Sequence, residues 1–348
     1  MKKIIIFILV ITTLQIFAQN PVRRGSTTAN FLEIGFGSRG ISMGDAVVSD
    51  VNDISSIYWN VAGLGFMEKP QIMLYYQPWI ANIDLSFVAA GLVLKNIGTI
   101  AFAVYNSNYG EMEVTSMELQ EGTGETFAAN DYCMTLSFGR RITSWFAFGY
   151  SAKFISSKIW HSYSKAFATD LGVIIKTPFL SPTGKNLDGL SIGMNISNYG
   201  TEMKYSGMDL LETHDPYPNE NGNYKDVPVE YKTNSWELPL IFRIGFSIHP
   251  IATSLQRLTL SLDALHPNNN YEYVNLGTEY KYTIPSFGSL YLRTGYKGLF
   301  LKKSQYGFSF GFGILYNLMF NKAISIEYSY REVGVLGYAH SYSVNFIF

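Results

Sequence analysis

Strict alternation of large apolar residues with small or polar ones is the feature that most limits the fold of this chain. From Gln305 to Tyr316, every even position carries a large apolar or aromatic side chain, and the odd positions up to 313 carry glutamine, glycine or serine. A repeat of two residues indicates a β-strand with two different faces. At about 3.3 Å per residue and a tilt of about 40°, Tyr306 and Tyr316 bracket roughly 25 Å of membrane. We predict a membrane-spanning strand with a tyrosine at each interface.

The same alternation recurs along the chain, with charged residues opposite the apolar face. A soluble β-sandwich would carry many lysines on its polar face, but lysine is scarce here. The alternation predicts strands near residues 71–79, 83–94, 97–106, 131–140, 144–156, 165–176, 189–198, 239–248, 256–264, 272–283, 287–297, 305–316, 321–331 and 338–348. Fourteen is an even number, as a closed bacterial barrel requires. The predicted fold is all-β, a 14-stranded antiparallel transmembrane β-barrel spanning residues 71–348.

Charged residues on the predicted inner faces suggest a network inside the barrel. It either holds an internal segment or lines a selective pore. Cys133, the only cysteine, falls on an inner face and is expected to be a free thiol. The charged residues expected to point inward are Lys153, Asp170, Lys176, Arg243, Asp263, Glu279, Arg293, Glu327 and Arg331.

The N-terminal residues have the pattern of a secretory signal peptide, which predicts export. Lys2 and Lys3 precede an apolar run, and Ala18 ends a plausible cleavage site, so residues 1–18 are predicted to be a signal peptide. No later segment has eighteen consecutive apolar residues, so no transmembrane helix is predicted. Charged residues make up only 15% of the chain and the net charge is −1, so there is no basic patch for nucleic acid.

The predicted connections alternate between short and long. Tight turns are predicted around Asn96, Thr143, Pro285 and Phe320, and long loops at 107–130 and 199–238. Short turns of bacterial barrels face the periplasm and long loops face outside. We therefore expect a barrel in the lipid of the bacterial outer membrane with both chain ends in the periplasm.

Residues 19–70 do not alternate and are rich in glycine. A barrel of fourteen strands is wider than side chains alone can fill. We predict that this segment folds into the lumen as a hatch, or plug.

Two stretches of the predicted hatch carry a family resemblance. Phe31–Ala46 (FLEIGFGSRGISMGDA) and Asp53–Leu64 (DISSIYWNVAGL) resemble the N-terminal signature of the PorV/PorQ family, a branch of the FadL-like barrel superfamily. The family usually has proline after the asparagine, where this chain has Val61. The motif residues are Gly37, Gly40, Met43, Gly44, Asp45, Asp53, Trp59, Asn60, Ala62, Gly63 and Leu64.

The resemblance implies a role in type IX protein secretion. PorV-like members bind secreted proteins through their C-terminal sorting domains, and PorQ-like members hold a surface partner of the same system. One alternative is a FadL-like channel for a hydrophobic small-molecule ligand, and another is a structural anchor for a surface or motility assembly.

The loop at 199–238 combines acidic and aromatic residues. Clustered carboxylates suit a hard cation such as calcium, but their spacing is irregular, which favours a solvated acidic loop. Aromatic side chains exposed on a loop commonly anchor interfaces, although folding inward to line the mouth of the barrel is equally consistent. The candidate partner-binding residues are Tyr205, Tyr217, Tyr224, Tyr231 and Trp236.

The last predicted strand ends on an aromatic residue. A terminal strand with a final aromatic resembles the signal by which bacterial outer-membrane barrels reach their assembly machinery. Its outward residues include Tyr342, Val344, Phe346 and Phe348, which we take as the predicted assembly signal.

No enzyme, metal or cofactor motif stands out. The spacing of Gly37, Gly40 and Gly44 lacks the strand, helix and Lys-Ser/Thr pair of a phosphate loop. The five histidines lack metal-ligand spacing, and no distinctive serine-hydrolase motif occurs. We expect a non-enzyme without a cofactor or metal.

Overall fold

Fourteen antiparallel strands form a closed barrel in the computed structural model of this protein, which describes residues 23–219, 227–301 and 304–348. The first strand pairs with the last and closes the cylinder. The barrel strands are β1 (Gln71–Pro78), β2 (Asp84–Leu94), β3 (Gly98–Glu113), β4 (Thr126–Thr143), β5 (Phe146–Ile159), β6 (Ser162–Lys176), β7 (Ser191–Gly200), β11 (Ile241–Ala252), β12 (Gln256–Pro267), β13 (Tyr273–Ile284), β14 (Gly288–Leu299), β15 (Phe308–Asn317), β16 (Ala323–Glu332) and β17 (Tyr338–Ile347). Short strands β8 (Ser206–Gly207), β9 (Leu211–His214) and β10 (Val227–Glu230) lie between β7 and β11.

Burial alternates along the strands as the sequence predicts. Side chains of β1 are buried and exposed in turn from Gln71 to Pro78. Large apolar residues such as Phe310 and Leu292 are exposed on the outside, whereas serines such as Ser341 are buried on the inside. The predicted 14-stranded antiparallel barrel is confirmed. None of the helices in the described ranges is long and apolar enough to cross a membrane.

The two ends of the barrel differ in their connections. One end, called the turn end, carries connections 95–97, 144–145, 177–190, 253–255, 285–287 and 318–322. The other, called the loop end, carries connections 79–83, 114–125, 160–161, 201–240, 268–272, 300–307 and 333–337. The connection predicted at 107–130 is shorter in the structure because β3 and β4 stay paired, through a bulge, out to Glu113 and Thr126.

The predicted strand at 305–316 begins later than its alternation suggests. β15 starts at Phe308, and the ring of Tyr306 lies over Lys297, with Nζ 4.1 Å from the ring centroid. The expectation that Tyr306 faces lipid is wrong, because its ring turns toward a buried ammonium group instead. Tyr316 does face outwards.

The lumen holds the hatch, here residues 23–70. It contains α-helices at Ser38–Ser42 and Ser56–Trp59 and 3-10 helices at Asn30–Glu33 and Val61–Phe66. Thr28 N–H donates to the Glu237 carbonyl at the loop end, 3.0 Å away. At the turn end, Phe348 N–H donates to the Pro70 carbonyl, also at 3.0 Å. The hatch therefore runs the length of the lumen.

The described chain begins and finishes at opposite ends of the barrel. Arg23 pairs with Glu237 at the loop end, whereas Phe348 lies at the turn end. The expectation that both chain ends lie in the periplasm stays a prediction, since the residues before Arg23 lie outside the described ranges. The predicted signal peptide, residues 1–18, lies outside the described residues.

Candidate functional site at the hatch and barrel wall

Trp59 forms the centre of the hatch. Its ring packs on Gly35 and Gly40, where an added Cβ would approach the indole to 2.5 Å or less. Its Nε1–H donates to the Phe36 carbonyl at 2.8 Å. Glycine is thus needed at both positions for close approach of the ring, and this packing accounts for Gly40 in the Gly37, Gly40 and Gly44 series.

Asn60 connects hatch and wall through its side-chain amide. Nδ2 donates to the Val48 carbonyl in the hatch at 2.8 Å and to the Val173 carbonyl on β6 at 3.1 Å. Oδ1 accepts from Ala62 N–H at 3.2 Å and caps the helix Val61–Phe66. Val61 is the first residue of this helix, a position that proline also favours. The turn therefore forms with valine in place of the family's proline.

Inward-facing glycines form a belt where hatch backbone meets the wall. At Gly139 an added Cβ would lie 2.5 Å from Leu64 Cβ, and at Gly277 it would lie 2.6 Å from the Met43 carbonyl oxygen. The belt comprises Gly139, Gly149, Gly172, Gly193, Gly245, Gly277, Gly295 and Gly311. Because these strands carry no side chain at this level, the hatch comes within contact distance of the wall. Hatch main-chain atoms lie against most of these glycines, and the nearest hatch atoms at Gly172, Gly245 and Gly311 belong to the side chains of Asn60, Val48 and Ser42.

Charged side chains fix the hatch to β13, β14 and β16. Arg39 donates to Glu279 from Nε at 3.0 Å and from Nη2 at 3.2 Å. Arg293 donates to Glu279 at 2.6 Å and to Glu327 at 3.1 Å. All four side chains are largely buried. Paired charges in low dielectric make a strong, directional attachment once both partners are present.

Asp45 and Asp50 extend this attachment from the hatch side. Asp45 pairs with Arg331 and, at 2.7 Å, with Lys297. Burial alone would raise the pKa of the Asp45 carboxyl, but Arg331 and Lys297 outweigh it and hold the pKa below its usual value. Burial likewise opposes the charged form of Asp50, while His249, Lys176 and Arg39 lower its pKa. Both aspartates are therefore charged at neutral pH.

Aromatic rings join the hatch to the other side of the wall. Phe36 stacks on Phe87 of β2 with centroids 5.1 Å apart and meets the ring edges of Tyr105 and Tyr75 from β3 and β1. A cavity of about 20 Å³, lined mostly by apolar and aromatic residues including Leu32 and Phe36, remains beside this contact. We call Phe36, Tyr75, Phe87 and Tyr105 the aromatic seam.

A larger cavity opens at the turn end below the hatch. It has a volume of about 440 Å³ and is lined largely by charged side chains, among them Arg39, Lys176, Lys281 and Glu279. We call it the vestibule. The seam cavity and the vestibule differ in chemistry, one apolar and small, the other polar and wide.

The structure brings the predicted motif residues together in the hatch. Met43, Ala62 and Leu64 are fully buried, and Asp53 accepts a hydrogen bond from Ser55 N–H at 2.8 Å. Gly37 and Gly44 have positive φ angles of 84° and 64°, a conformation that favours glycine. All nine charged residues expected to point inward are buried.

The aromatic seam was missed by sequence reasoning. The signal was present as aromatic residues on the inner faces of three consecutive strands, at Tyr75, Phe87 and Tyr105. An inner face with aromatics in place of serine or glycine indicates a contact with something apolar inside the lumen.

The predicted loop residues differ in their exposure. Tyr217, Tyr231 and Trp236 are exposed, Tyr205 is half-buried, and Tyr224 lies outside the described residues. The predicted assembly residues lie on the outer face of β17 and just after it, with Tyr342, Phe346 and Phe348 exposed and Val344 half-buried.

Two other predicted features are placed by the structure. Cys133 is a buried free thiol. His249 is buried between hatch and wall, with Nδ1 3.0 Å from Thr259 Oγ1. Within the described ranges, no group of three or more metal-binding side chains comes together.

Comparison with solved structures shows the fold. The Pseudomonas putida toluene transporter TodX aligns with a TM-score of 0.53 at 12% identity, covering 90% of this chain and 96% of TodX. The Ralstonia pickettii toluene transporter TbuX aligns with a TM-score of 0.53 at 10% identity over 90% and 97%. A Pseudomonas aeruginosa FadL homologue gives 0.51 at 11% identity over 90% and 98%. This is the fold of FadL-type barrels. No protein-family model and no curated protein sequence matches the chain.

Proposed function

We propose that this chain is a bacterial outer-membrane protein that binds hydrophobic small molecules in its lumen and passes them inward. The observation that carries the proposal is the fold shared over nine-tenths of the chain with toluene transporters. The turn end faces the periplasm and the loop end faces outside, as in other bacterial barrels.

The aromatic seam is where an apolar molecule would enter. Ring contacts of this kind contribute about 0.5–1.5 kcal/mol each beyond their buried area, and an aromatic ligand replaces them with equivalent contacts. Phe36 faces Phe87 and Tyr105 there without a charged pair between them. The opposite side is held by Arg39 and Asp45, so the hatch pivots on its charged side and opens at the seam.

The test is uptake of a labelled single-ring hydrocarbon, such as toluene, by cells that carry the barrel in their outer membrane. Uptake above that of cells without the barrel supports the proposal. A Phe36→Ala variant weakens the seam and is expected to raise uptake several-fold, while Phe310→Ala, which removes a ring from the outer face, serves as the matched control. Equal uptake with and without the wild-type barrel refutes a channel.

A second candidate is a component of type IX protein secretion. It is favoured by the hatch signature, whose residues fill the lumen at the level of the aromatic seam, where a cavity of only about 20 Å³ remains. A barrel filled in this way suits docking of a protein partner, and Tyr217, Tyr231 and Trp236 are exposed at the loop end for that purpose.

The two candidates differ in what copurifies with the barrel. Pull-down from native outer membranes is expected to recover secreted proteins with C-terminal sorting domains, or secretion components, under the second candidate. A single stoichiometric surface or motility partner would instead indicate the structural anchor. If none of these proteins is recovered and toluene is taken up, the channel function is supported.

A further inference from the structure

We infer that the vestibule at the turn end is a binding site for a compact anion bearing carboxylate or phosphate oxygens. Cationic side chains around it outnumber acidic ones. The lining holds seven of the former, Arg39, Lys69, Arg141, Lys176, Arg257, Lys281 and Arg293, and five of the latter, Asp50, Asp53, Glu68, Glu279 and Glu327.

Some of these cationic side chains form ion pairs with carboxylates, and others do not. Arg39 and Arg293 engage the acids at the hatch and wall, and Arg257 pairs with Asp188 at 2.7 Å. Arg141, Lys176 and Lys281 have no carboxylate within 4.0 Å among the described residues. Lys69 also lacks such a carboxylate and donates to Asn321 at 2.9 Å. Four of the seven cations thus line the cavity without a direct ion pair, although Lys176 acts on Asp50 at longer range.

Lys176 is the most deeply buried of these unpaired cations. Its residue is only 4% exposed, and its side chain lines the vestibule. Nζ lies 4.6 Å from the centroid of the Phe66 ring, and Arg141 approaches the same ring at 6.0 Å. An ammonium beside a ring gains part of its stabilisation there, and its three N–H donors can be met by acceptors in the vestibule.

An anion supplies those acceptors. A cavity of about 440 Å³ admits a small molecule with several anionic oxygens. Lys176 and Arg141 on one side and Lys281 on the other approach it from different strands. The site lies at the turn end, apart from the aromatic seam, so it is independent of the proposed apolar ligand.

The experiment measures binding of citrate and of inorganic phosphate to the purified barrel at constant ionic strength, with chloride as the reference anion. Isothermal titration calorimetry measures the affinity for each anion. A rise in the unfolding temperature shows that the anion binds the folded barrel in preference to the unfolded chain. We expect one or both probes to bind and stabilise the wild type. Citrate binding without phosphate binding identifies carboxylate as the ligand chemistry, and the reverse identifies phosphate.

Lys176→Gln is expected to weaken binding at least tenfold, and Lys281→Gln provides a second variant at a more exposed position. The matched control is Lys165→Gln, on the same strand but exposed near the loop end, which is expected to leave affinity unchanged. Failure of both probes to bind wild type overturns the inference, as does an equal loss of affinity in the Lys165 control. Toluene uptake is measured separately, so either result stands without the proposed transport function.

Discussion

Arg39 of the hatch donates two hydrogen bonds to Glu279 of β13, at 3.0 and 3.2 Å. This two-point contact joins residues 240 positions apart in the chain. Glu279 also accepts from Arg293, so one buried carboxylate ties the hatch to two strands. The hatch is thereby anchored on one side of the lumen by charge and on the other by aromatic rings.

Removal of one partner tests this anchor. Glu279→Gln removes the carboxylate that Arg39 and Arg293 share and leaves Arg39 paired with Asp50 and Arg293 with Glu327. Breaking a buried pair costs up to about 3–5 kcal/mol, and the remaining pairs make the loss here smaller. We expect hatch amides around Arg39 to exchange hydrogen much faster, while β5 amides stay protected. Glu237→Gln is the control, since its pair with Arg23 is exposed and such pairs contribute about 0–1 kcal/mol. Unchanged exchange in the Glu279 variant contradicts the anchor.

The glycine belt predicts a steric effect. Gly149→Val places a side chain where the backbone of Val61 and Ala62 lies, so the hatch is expected to shift from the wall and become sensitive to protease. Ala152→Val, on the exposed face of the same strand, is expected to have no such effect. The two variants are compared by limited proteolysis of folded barrels, and equal resistance would argue against direct backbone contact.

Asn60 predicts a loss of hatch stability without loss of the barrel. Asn60→Ala leaves the Val48 and Val173 carbonyls without their donor, and each buried unsatisfied group costs about 1–3 kcal/mol. Hydrogen exchange across residues 56–66 is the measurement. Asn96→Ala, at the exposed turn between β2 and β3, is the control, and similar exchange in both variants would show that the Asn60 contacts are unimportant.

Acid is expected to loosen the hatch. The pKa values of Asp45 and Asp50 are lower in the folded protein than in the unfolded chain, where an aspartate titrates at about 3.9. Their stabilisation is therefore fully present above that pH and is lost as pH falls through their folded values. Hatch protection is expected to be constant from pH 7 to 5 and to fall below about pH 4. In Asp45→Asn the acid-dependent loss becomes smaller; an unchanged acid profile would exclude Asp45 as a contributor.

The assembly signal makes a separate prediction. Deletion of Phe348 removes the final aromatic and the N–H that donates to Pro70. We expect lower levels of folded barrel in the outer membrane, measured by heat-modifiable migration of membrane fractions. Phe320→Ala, at an exposed turn residue of the same end, is the control, and normal levels of the deletion variant would refute the signal.

The barrel was predictable from sequence because its faces differ at every second residue. Segments such as 305–316 and 338–348 show this directly, and the nine inward charges follow from the same repeat. The partners of those charges were not predictable, since Arg39 and Glu279 meet only when the hatch is inside the closed cylinder. Tyr306 shows the converse, because a cation–ring contact overrides its place in the alternation.

The central claim, that an apolar solute passes when the hatch moves away from the aromatic seam, is tested by a reversible lock. Ser38 and Ser343 have hydroxyl oxygens 2.8 Å apart, across hatch and wall, so Ser38→Cys and Ser343→Cys in a Cys133→Ser background place two thiols at this contact for cross-linking. Toluene uptake by cells carrying this variant is measured oxidised and after reduction. We predict that oxidation abolishes uptake and that reduction restores it, whereas equal uptake in the two states contradicts a mobile hatch.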